Sequence, residues 1–106
     1  MRTLREQIRP TWAEIDLRAF DRNVTAVASR LPQDSKLIAV LKADGYGHGA
    51  VELARRCESL PVAMIATALL EEALELRRAK ITLPLLTFGA LSEAQEIGRA
   101  SCRERV

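Results

Sequence analysis

The chain has 106 residues, of which 48% are hydrophobic and 28% are charged, as expected for one small globular domain or for part of a larger one. Its 16 basic and 14 acidic residues are interleaved without a basic block, which argues against a nucleic-acid-binding protein. No apolar run approaches the ~18 residues of a membrane span, and the first ten residues are too charged for a signal peptide, so we expect a soluble cytoplasmic protein.

The first predicted elements are a short strand and a helix. Alternating polar and apolar residues over 11–16 (TWAEID) predict the strand. Asp16 suits the N-cap of the helix, whose apolar residues recur at steps of three and four and so share one face. Those residues are Leu17, Phe20, Val24, Val27 and Leu31. Pro32 is expected to end this helix.

After Pro32 the sequence predicts strands that alternate with helices. Continuous apolar runs are typical of strands covered on both faces, as in a parallel sheet. The predicted strands cover residues 37–41, 62–68 and 83–88, and the helices between them cover residues 50–59 and 70–79. Ser92 and Gln95 have the spacing of a capping box that opens a further helix. This order predicts an α/β fold with parallel strands, either an open doubly wound sheet or a barrel.

Lys42 follows the first of these strands within the segment AVLKADGYGHGA, residues 39–50. Because side chains alternate along a strand, Lys42 should share a face with Ile38 and Val40. In a barrel, a lysine at this strand end lies at the catalytic mouth. It can hold an anion while charged, or act as a nucleophile toward an aldehyde when desolvation lowers its pKa. The alternative is a lysine that extends from the strand end into solvent.

The loop after Lys42 is rich in glycine. Gly45, Gly47 and Gly49 permit backbone conformations and close approaches denied to other residues, and such a turn before a helix can bind phosphate. The spacing of these three glycines is by itself only weak support for a phosphate-binding loop. Tyr46 can donate a hydrogen bond to a phosphate oxygen or pack its ring on the rim. His48 can act as an acid or base, although a histidine between glycines more often bonds to the backbone.

The segment AVLKADGYGHGA resembles the cofactor-lysine signature of alanine racemases, which are fold-type III pyridoxal phosphate enzymes. RPTWAEIDLRAFDRNV is similar to the opening segment of that family, and LLEEALELRRAKIT followed by LPLLTFGAL is similar to its second barrel helix and third strand. The family fold is an eight-stranded α/β barrel followed by a β-rich domain. The resemblance therefore implies that residues 9–100 are part of a (β/α)8 TIM-type barrel: its first three strand–helix units, preceded by an N-terminal strand and helix.

By the same resemblance, Lys42 would carry pyridoxal 5'-phosphate as an internal aldimine and serve as one of two acid/base groups. Tyr46 would contact the cofactor phosphate. The cofactor ring would act as the electron sink during interconversion of L- and D-alanine, which supplies D-alanine for peptidoglycan. The second base would be a tyrosine of the partner subunit in a homodimer. Neither a metal nor a nucleic acid nor a membrane is implied, and the two cysteines, Cys57 and Cys102, are too few for a metal-ligand set.

A full barrel needs about 250 residues, whereas only three of eight strand–helix units are begun here. The second base and the arginines near the cofactor ring and substrate are absent, so we expect an N-terminal fragment that is inactive alone. Residues 101–106 (SCRERV) do not match the family and are expected to mark a truncation.

Three positions depart from the family pattern. The family most often has alanine where Gly45 stands, a change expected to loosen the loop slightly. Glycine is usual where Lys80 stands, and a lysine in a left-handed helix terminus would cost about 1 kcal/mol of stability. Phe88 replaces a smaller aliphatic residue at the end of the third strand, where it narrows the pocket or, as we expect, packs in the core.

Three other functions stay open at this point. A broad-specificity amino-acid racemase of the same fold would carry the same residues in this part of the chain. A non-catalytic pyridoxal phosphate-binding protein is another alternative, although the related carriers lack the DGYGHG string. The third is a small α/β module that binds a phosphate through the glycine loop and uses no cofactor.

Overall fold

Strands and helices alternate along residues 11–88, the part of the chain that the computed structural model describes. Helix α1 (Leu17–Ser29) precedes strand β1 (Ile38–Val40), which leads into a short left-handed turn (Lys42–Tyr46). Then follow helix α2 (Ala50–Cys57), strand β2 (Met64–Thr67), helix α3 (Leu70–Arg78) and strand β3 (Leu85–Thr87). The predicted capping box at Ser92, the residue Cys102 and the segment 101–106 lie outside the described residues.

The three strands form a parallel sheet in the order β1-β2-β3. Ile38 is in register with Met64, and Ile65 is in register with Leu85. Each strand is joined to its neighbour through one of the helices α2 and α3. The prediction of an α/β fold with parallel strands is therefore confirmed.

The two faces of this sheet differ in how well they are covered. Ile65 and Leu85 are fully buried in one hydrophobic cluster with Leu53 of α2 and Leu76 of α3. On the opposite face of β1, Ile38 is 45% exposed and Val40 is 37% exposed. The expectation that this strand is covered on both faces is wrong for residues 11–88, because the helices described there bury the other face. We call the side that carries Ile38 and Val40 the open face.

Helix α1 begins as predicted at Asp16, whose Oδ1 accepts hydrogen bonds from the backbone N–H groups of Arg18 and Ala19 at 3.0 Å each. Its predicted apolar face is only half-buried, and Val27 is exposed. The helix ends at Ser29, before Pro32 is reached. There the Ser29 hydroxyl donates to the Ala26 carbonyl at 2.7 Å, a local bond that competes with continuation of the helix.

Residues 11–16 form no strand, which contradicts the prediction from their alternating pattern. Trp12 and Ile15 are exposed, and no strand of the described sheet pairs with this segment. Alternation predicts which side chains would share a face, but a strand also needs a neighbour for its backbone hydrogen bonds.

The end of α3 has the left-handed geometry expected at Lys80, whose φ is +68°. The Lys80 N–H donates to the Arg77 carbonyl at 2.9 Å, and the Ile81 N–H donates to the Leu76 carbonyl at 3.1 Å. This pair of bonds is a Schellman motif, and Ile81 and Leu76 are both buried, as the motif favours.

A carboxylate links the end of α2 to the residues before β3. Glu58 Oε2 accepts hydrogen bonds from the Thr82 backbone N–H at 2.9 Å and from the Thr82 hydroxyl at 2.8 Å. These two bonds lower the pKa of Glu58 from its ordinary value, the backbone bond more than the hydroxyl bond.

Cys57 is fully buried in the hydrophobic core at the end of α2. Burial raises the pKa of its thiol to about 11, with a smaller contribution from the negative charge of Asp21. Within residues 11–88, no helix combines the length and apolar character required to cross a bilayer.

Candidate active site

Lys42 stands where the pairing of β1 with β2 ends. The backbone N–H of Leu41 still donates to the Ala66 carbonyl at 2.8 Å, and Lys42 begins the left-handed turn. Leu41 is buried, and its ψ of +28° ends the extended backbone just before Lys42. Its side chain is half-buried and takes part in neither the Arg55–Glu52 nor the Arg56–Asp21 salt bridge.

The turn after Lys42 places several L-residues in a conformation that they rarely adopt. Ala43, Asp44 and Tyr46 have φ values of +52°, +55° and +57°. Gly45 continues the same left-handed path at +64°. Each non-glycine residue in this region costs roughly 1–2 kcal/mol. The turn must therefore be held by its surroundings.

Two polar side chains of the loop form hydrogen bonds that stabilise this turn. Asp44 Oδ1 accepts from the backbone N–H of Ala50 at 2.9 Å and so joins the turn to the first residue of α2. His48 Nδ1 lies 3.1 Å from both the Gly45 and the Tyr46 carbonyl oxygens. Since both partners are acceptors, Nδ1 is the protonated nitrogen and donates. His48 thus takes the backbone-bonding role that was the more common of its two expected roles.

A third side chain, Glu72 of α3, was not singled out from the sequence. Its Oε2 accepts a hydrogen bond from the Ala43 backbone N–H at 2.6 Å. Its Oε1 accepts from the N–H groups of Ala68 and Leu69 at 2.9 and 2.8 Å. The sequence did contain one signal for this role. Leu69 precedes α3 and has no polar side-chain atom to cap the helix, and Glu72 lies three residues later, at the position of the glutamate in a capping box.

Gly45 is buried against α2, where a side chain would have little room. A Cβ at this position would lie 2.9 Å from Leu53 Cδ1, in addition to the left-handed backbone. Glycine therefore fits this turn closely, and an alanine here requires the Leu53 side chain to shift.

Tyr46 is 59% exposed, so its ring is not packed on the rim, which was the second of its two expected roles. It borders a groove of about 570 Å³ between α1 and the loop after β1. Val40, Phe20 and His48 also line this groove, and Lys42 does not. The structure therefore brings Lys42 and Tyr46 into one turn but does not place both in the same groove.

Phe88 follows β3 and is 47% exposed, which contradicts its expected packing in the core. Its backbone N–H donates to the Thr67 carbonyl at 3.0 Å, so it continues the pairing of β3 with β2. The ring lacks cover because the described helices pack at the other face of the sheet, over Leu85 and Ile65.

Comparison with known proteins places this geometry in a family. The family model described as the alanine racemase N-terminal domain matches residues 15–104. Alanine racemase 2 of Oceanobacillus iheyensis is 48% identical over 81 residues, an alignment that covers 76% of this chain and 21% of that protein. The crystal structure of alanine racemase from E. faecalis superposes with a TM-score of 0.80 at 38% identity and covers 85% of this chain and 24% of that one.

A second solved structure, alanine racemase from Bacillus anthracis, matches with a TM-score of 0.74 at 42% identity, over 78% of this chain and 22% of that one. The chain thus spans about a fifth to a quarter of the length of these relatives. Its parallel strands and connecting helices are those of a partial TIM-type barrel. The chain belongs to the alanine racemase N-terminal domain family.

Proposed function

We propose that this chain is the lysine-bearing part of an alanine racemase, an isomerase that interconverts L- and D-alanine. Alanine racemases depend on pyridoxal phosphate. The observation that carries the proposal is the half-buried residue Lys42, which brings a primary amine to the carboxyl end of a parallel strand in a chain of this family. The Bacillus anthracis relative was solved with bound L-Ala-P, which supports an alanine-like substrate here.

The residues present fit pyridoxal 5'-phosphate in their chemistry. The cofactor carries an aldehyde and a phosphate, and the turn offers a primary amine at Lys42 and an exposed phenol at Tyr46. A Cβ at position 47 would meet nothing within 4 Å, so the backbone of Gly47 is open to close approach. We propose that Lys42 holds the cofactor covalently and that Tyr46 hydrogen-bonds to its phosphate.

When bound, the cofactor supplies an electron sink for the negative charge that develops at the substrate α-carbon. The Lys42 amine then holds or delivers a proton at one face of that carbon. Tyr46 keeps the phosphate in a fixed orientation. Racemisation also needs a proton-exchanging group on the other face, and we propose that it comes from the partner subunit of a homodimer.

The wider setting is also a proposal. An enzyme of this kind would act in the cytoplasm and supply D-alanine for peptidoglycan. Residues 9–100 would be the N-terminal part of its barrel. The family model also matches residues 101–104, so a departure from the family pattern in the segment 101–106 would be confined to its last two residues. Substrate range beyond alanine is determined by pocket residues other than those of the turn, since a broad-specificity racemase would share Lys42 and Tyr46.

The first prediction concerns covalent labelling of Lys42. The chain has three lysines, Lys36, Lys42 and Lys80, which makes the assignment simple. After incubation with pyridoxal 5'-phosphate, borohydride reduction and digestion, we expect peptide mapping to place the label on Lys42. The variant Lys42→Ala should lose it, together with the visible absorption of the complex.

Lys36→Ala is the matched control, because Lys36 is exposed and lies before β1. It should be labelled at Lys42 as readily as the unchanged chain. Equal labelling of all three lysines would contradict the proposal, since that pattern reports only the general reactivity of amines. Binding of inorganic phosphate with no imine at any lysine would favour the alternative of a simple phosphate-binding module.

A further inference from the structure

Glu72 connects the two loops that follow β1 and β2. One of its oxygens accepts from Ala43, the residue after Lys42, and the other accepts from Ala68 and Leu69 at the start of α3. The contact with Ala43 joins positions 29 apart in the sequence. The half-buried carboxylate therefore ties the end of one strand to the helix that follows the next.

The bond to Ala43 acts on the backbone of Lys42 itself. The Ala43 N–H belongs to the peptide group that also contains the Lys42 carbonyl, and a peptide group is planar. Fixing that N–H at 2.6 Å from Glu72 Oε2 therefore fixes the plane in which Lys42 leaves β1. Asp44 and His48 hold the turn further along the chain, which leaves Glu72 as the side chain that bonds nearest to Lys42 among those described here.

The carboxylate is suited to this task because both of its oxygens accept. Three N–H groups point at it, and an amide of the same shape would offer one accepting oxygen and one NH₂ group that only donates. Glutamine at position 72 would therefore place a donor against Ala43 or against the start of α3. An aspartate would keep the charge but is one methylene too short to reach both loops.

We propose that Glu72 is a positioning residue for Lys42: it holds the strained turn after β1 and so aims the amine at the cofactor. This inference rests on the proposed function and deepens it. Glu72 does not need to touch substrate or cofactor for this role. A positioning residue acts through geometry, and a misplacement of ~1 Å can cost a reaction about a hundredfold.

The first test observes the turn without any cofactor. In the ¹⁵N-labelled chain, Glu72→Gln should shift the Ala43 amide resonance and speed its hydrogen exchange at least about tenfold, the factor that corresponds to the loss of one good hydrogen bond. The nuclear Overhauser effect between the amide and α protons of Ala43, which is strong at positive φ because the two protons lie close together, should weaken. Glu71→Gln is the matched control, being the same substitution at the neighbouring, exposed position of α3.

The second test measures the rate at which pyridoxal 5'-phosphate labels Lys42. We expect Glu72→Gln and Glu72→Asp to slow it at least about tenfold, given the sensitivity of such reactions to position. Glu71→Gln should not change it. Glu58→Gln is the control for a general loss of stability, because Glu58 also accepts two hydrogen bonds. These bonds lie before the start of β3, whereas Lys42 lies after the end of β1.

Each outcome decides the matter. If the turn and the labelling rate are unchanged in Glu72→Gln, the inference is wrong. It is also wrong if the turn is disturbed while Lys42 reacts at its usual rate. If the unchanged chain is never labelled at Lys42, the proposed function fails, and the Ala43 measurements alone decide whether Glu72 holds the turn. Should Glu72→Gln not fold, Glu72→Asp carries both tests, because it keeps a negative charge at the N-terminus of α3.

Discussion

Lys80 has a backbone conformation that is unfavourable for a lysine but is required by the way α3 ends. The Schellman motif after α3 needs a left-handed residue, and Lys80 adopts that conformation at a φ of +68°. Its Cβ is then crowded by the backbone, a clash that glycine lacks. This position was identified from sequence alone, because glycine is usual there in the family that the chain resembles.

We predict that Lys80→Gly stabilises the chain by about 1 kcal/mol, the typical cost of a left-handed L-residue. Urea denaturation of both chains would measure the difference in free energy of unfolding. Lys80→Ala is the control, since it removes the charge beside Arg77 and Arg78 but keeps the Cβ. If alanine gives the same gain as glycine, relief of charge repulsion and not of backbone strain is the cause.

At the scale of elements, the order of helices and strands was predictable and the turn after β1 was not. Apolar runs and helical periodicity identified β1, β2, β3 and the helices between them. The glycines predicted a flexible loop, whereas the structure has a left-handed turn whose conformation also involves Ala43, Asp44 and Tyr46. Its main external contact, Glu72 with Ala43, depends on the placement of α3 next to this turn, and no pattern in the sequence predicts that Ala43 is the partner of Glu72.

The link between α2 and β3 makes a prediction about pH. The pKa of Glu58 is lowered from its ordinary value of 4.5 in the folded chain, chiefly by the Thr82 backbone N–H. A lowered folded pKa means that the stabilisation is present above the unfolded pKa and is lost as pH falls through the folded one. The unchanged chain should therefore exceed Glu58→Gln in stability at neutral pH, and the difference should vanish in acid.

Because Glu58 is exposed, we expect this difference at neutral pH to be small, about 0.5–1 kcal/mol after allowance for solvent screening. Urea denaturation at several pH values between neutrality and the acid range would measure it. A difference that stays constant across the whole range would show that protonation of Glu58 is not responsible. Thr82→Val, which keeps the backbone donor and removes the hydroxyl, should lose only part of the effect.

For the molecule as a whole, the main feature is a sheet whose helix-covered face is buried, whereas on the other face the side chains of β1 are exposed. The covered face could be predicted from periodicity, because its residues pack against helices that lie next to them in sequence. The exposure of the open face could not be predicted from the sequence. Ile38 and Val40 are apolar residues of the kind found in a core, but the residues that would cover them are not found within residues 11–88. The absence of a strand at residues 11–16 has the same origin, because a strand needs a pairing partner.

The next prediction concerns the activity of the whole chain. We predict that the purified 106-residue chain, loaded with pyridoxal 5'-phosphate, shows no racemase activity in a D-alanine assay. Lys42 would supply a proton-exchanging group for one side of the substrate, and racemisation needs one on each side. Exchange of the α-hydrogen of alanine with solvent deuterium, without inversion, would agree with this. Robust turnover would show that a second base lies within this chain.

The left-handed turn also has a consequence for stereochemistry. Ala43 has φ and ψ of +52° and +49°, the reflection of an ordinary right-handed helical residue. By symmetry, the enantiomer of alanine would occupy this position without the steric penalty that L-alanine meets. Chirality thus sets which residues the backbone conformation accepts there: glycine and asparagine suit the φ of positions 43, 44 and 46, whereas valine, isoleucine and threonine, which are readily accepted in the neighbouring strand, do not.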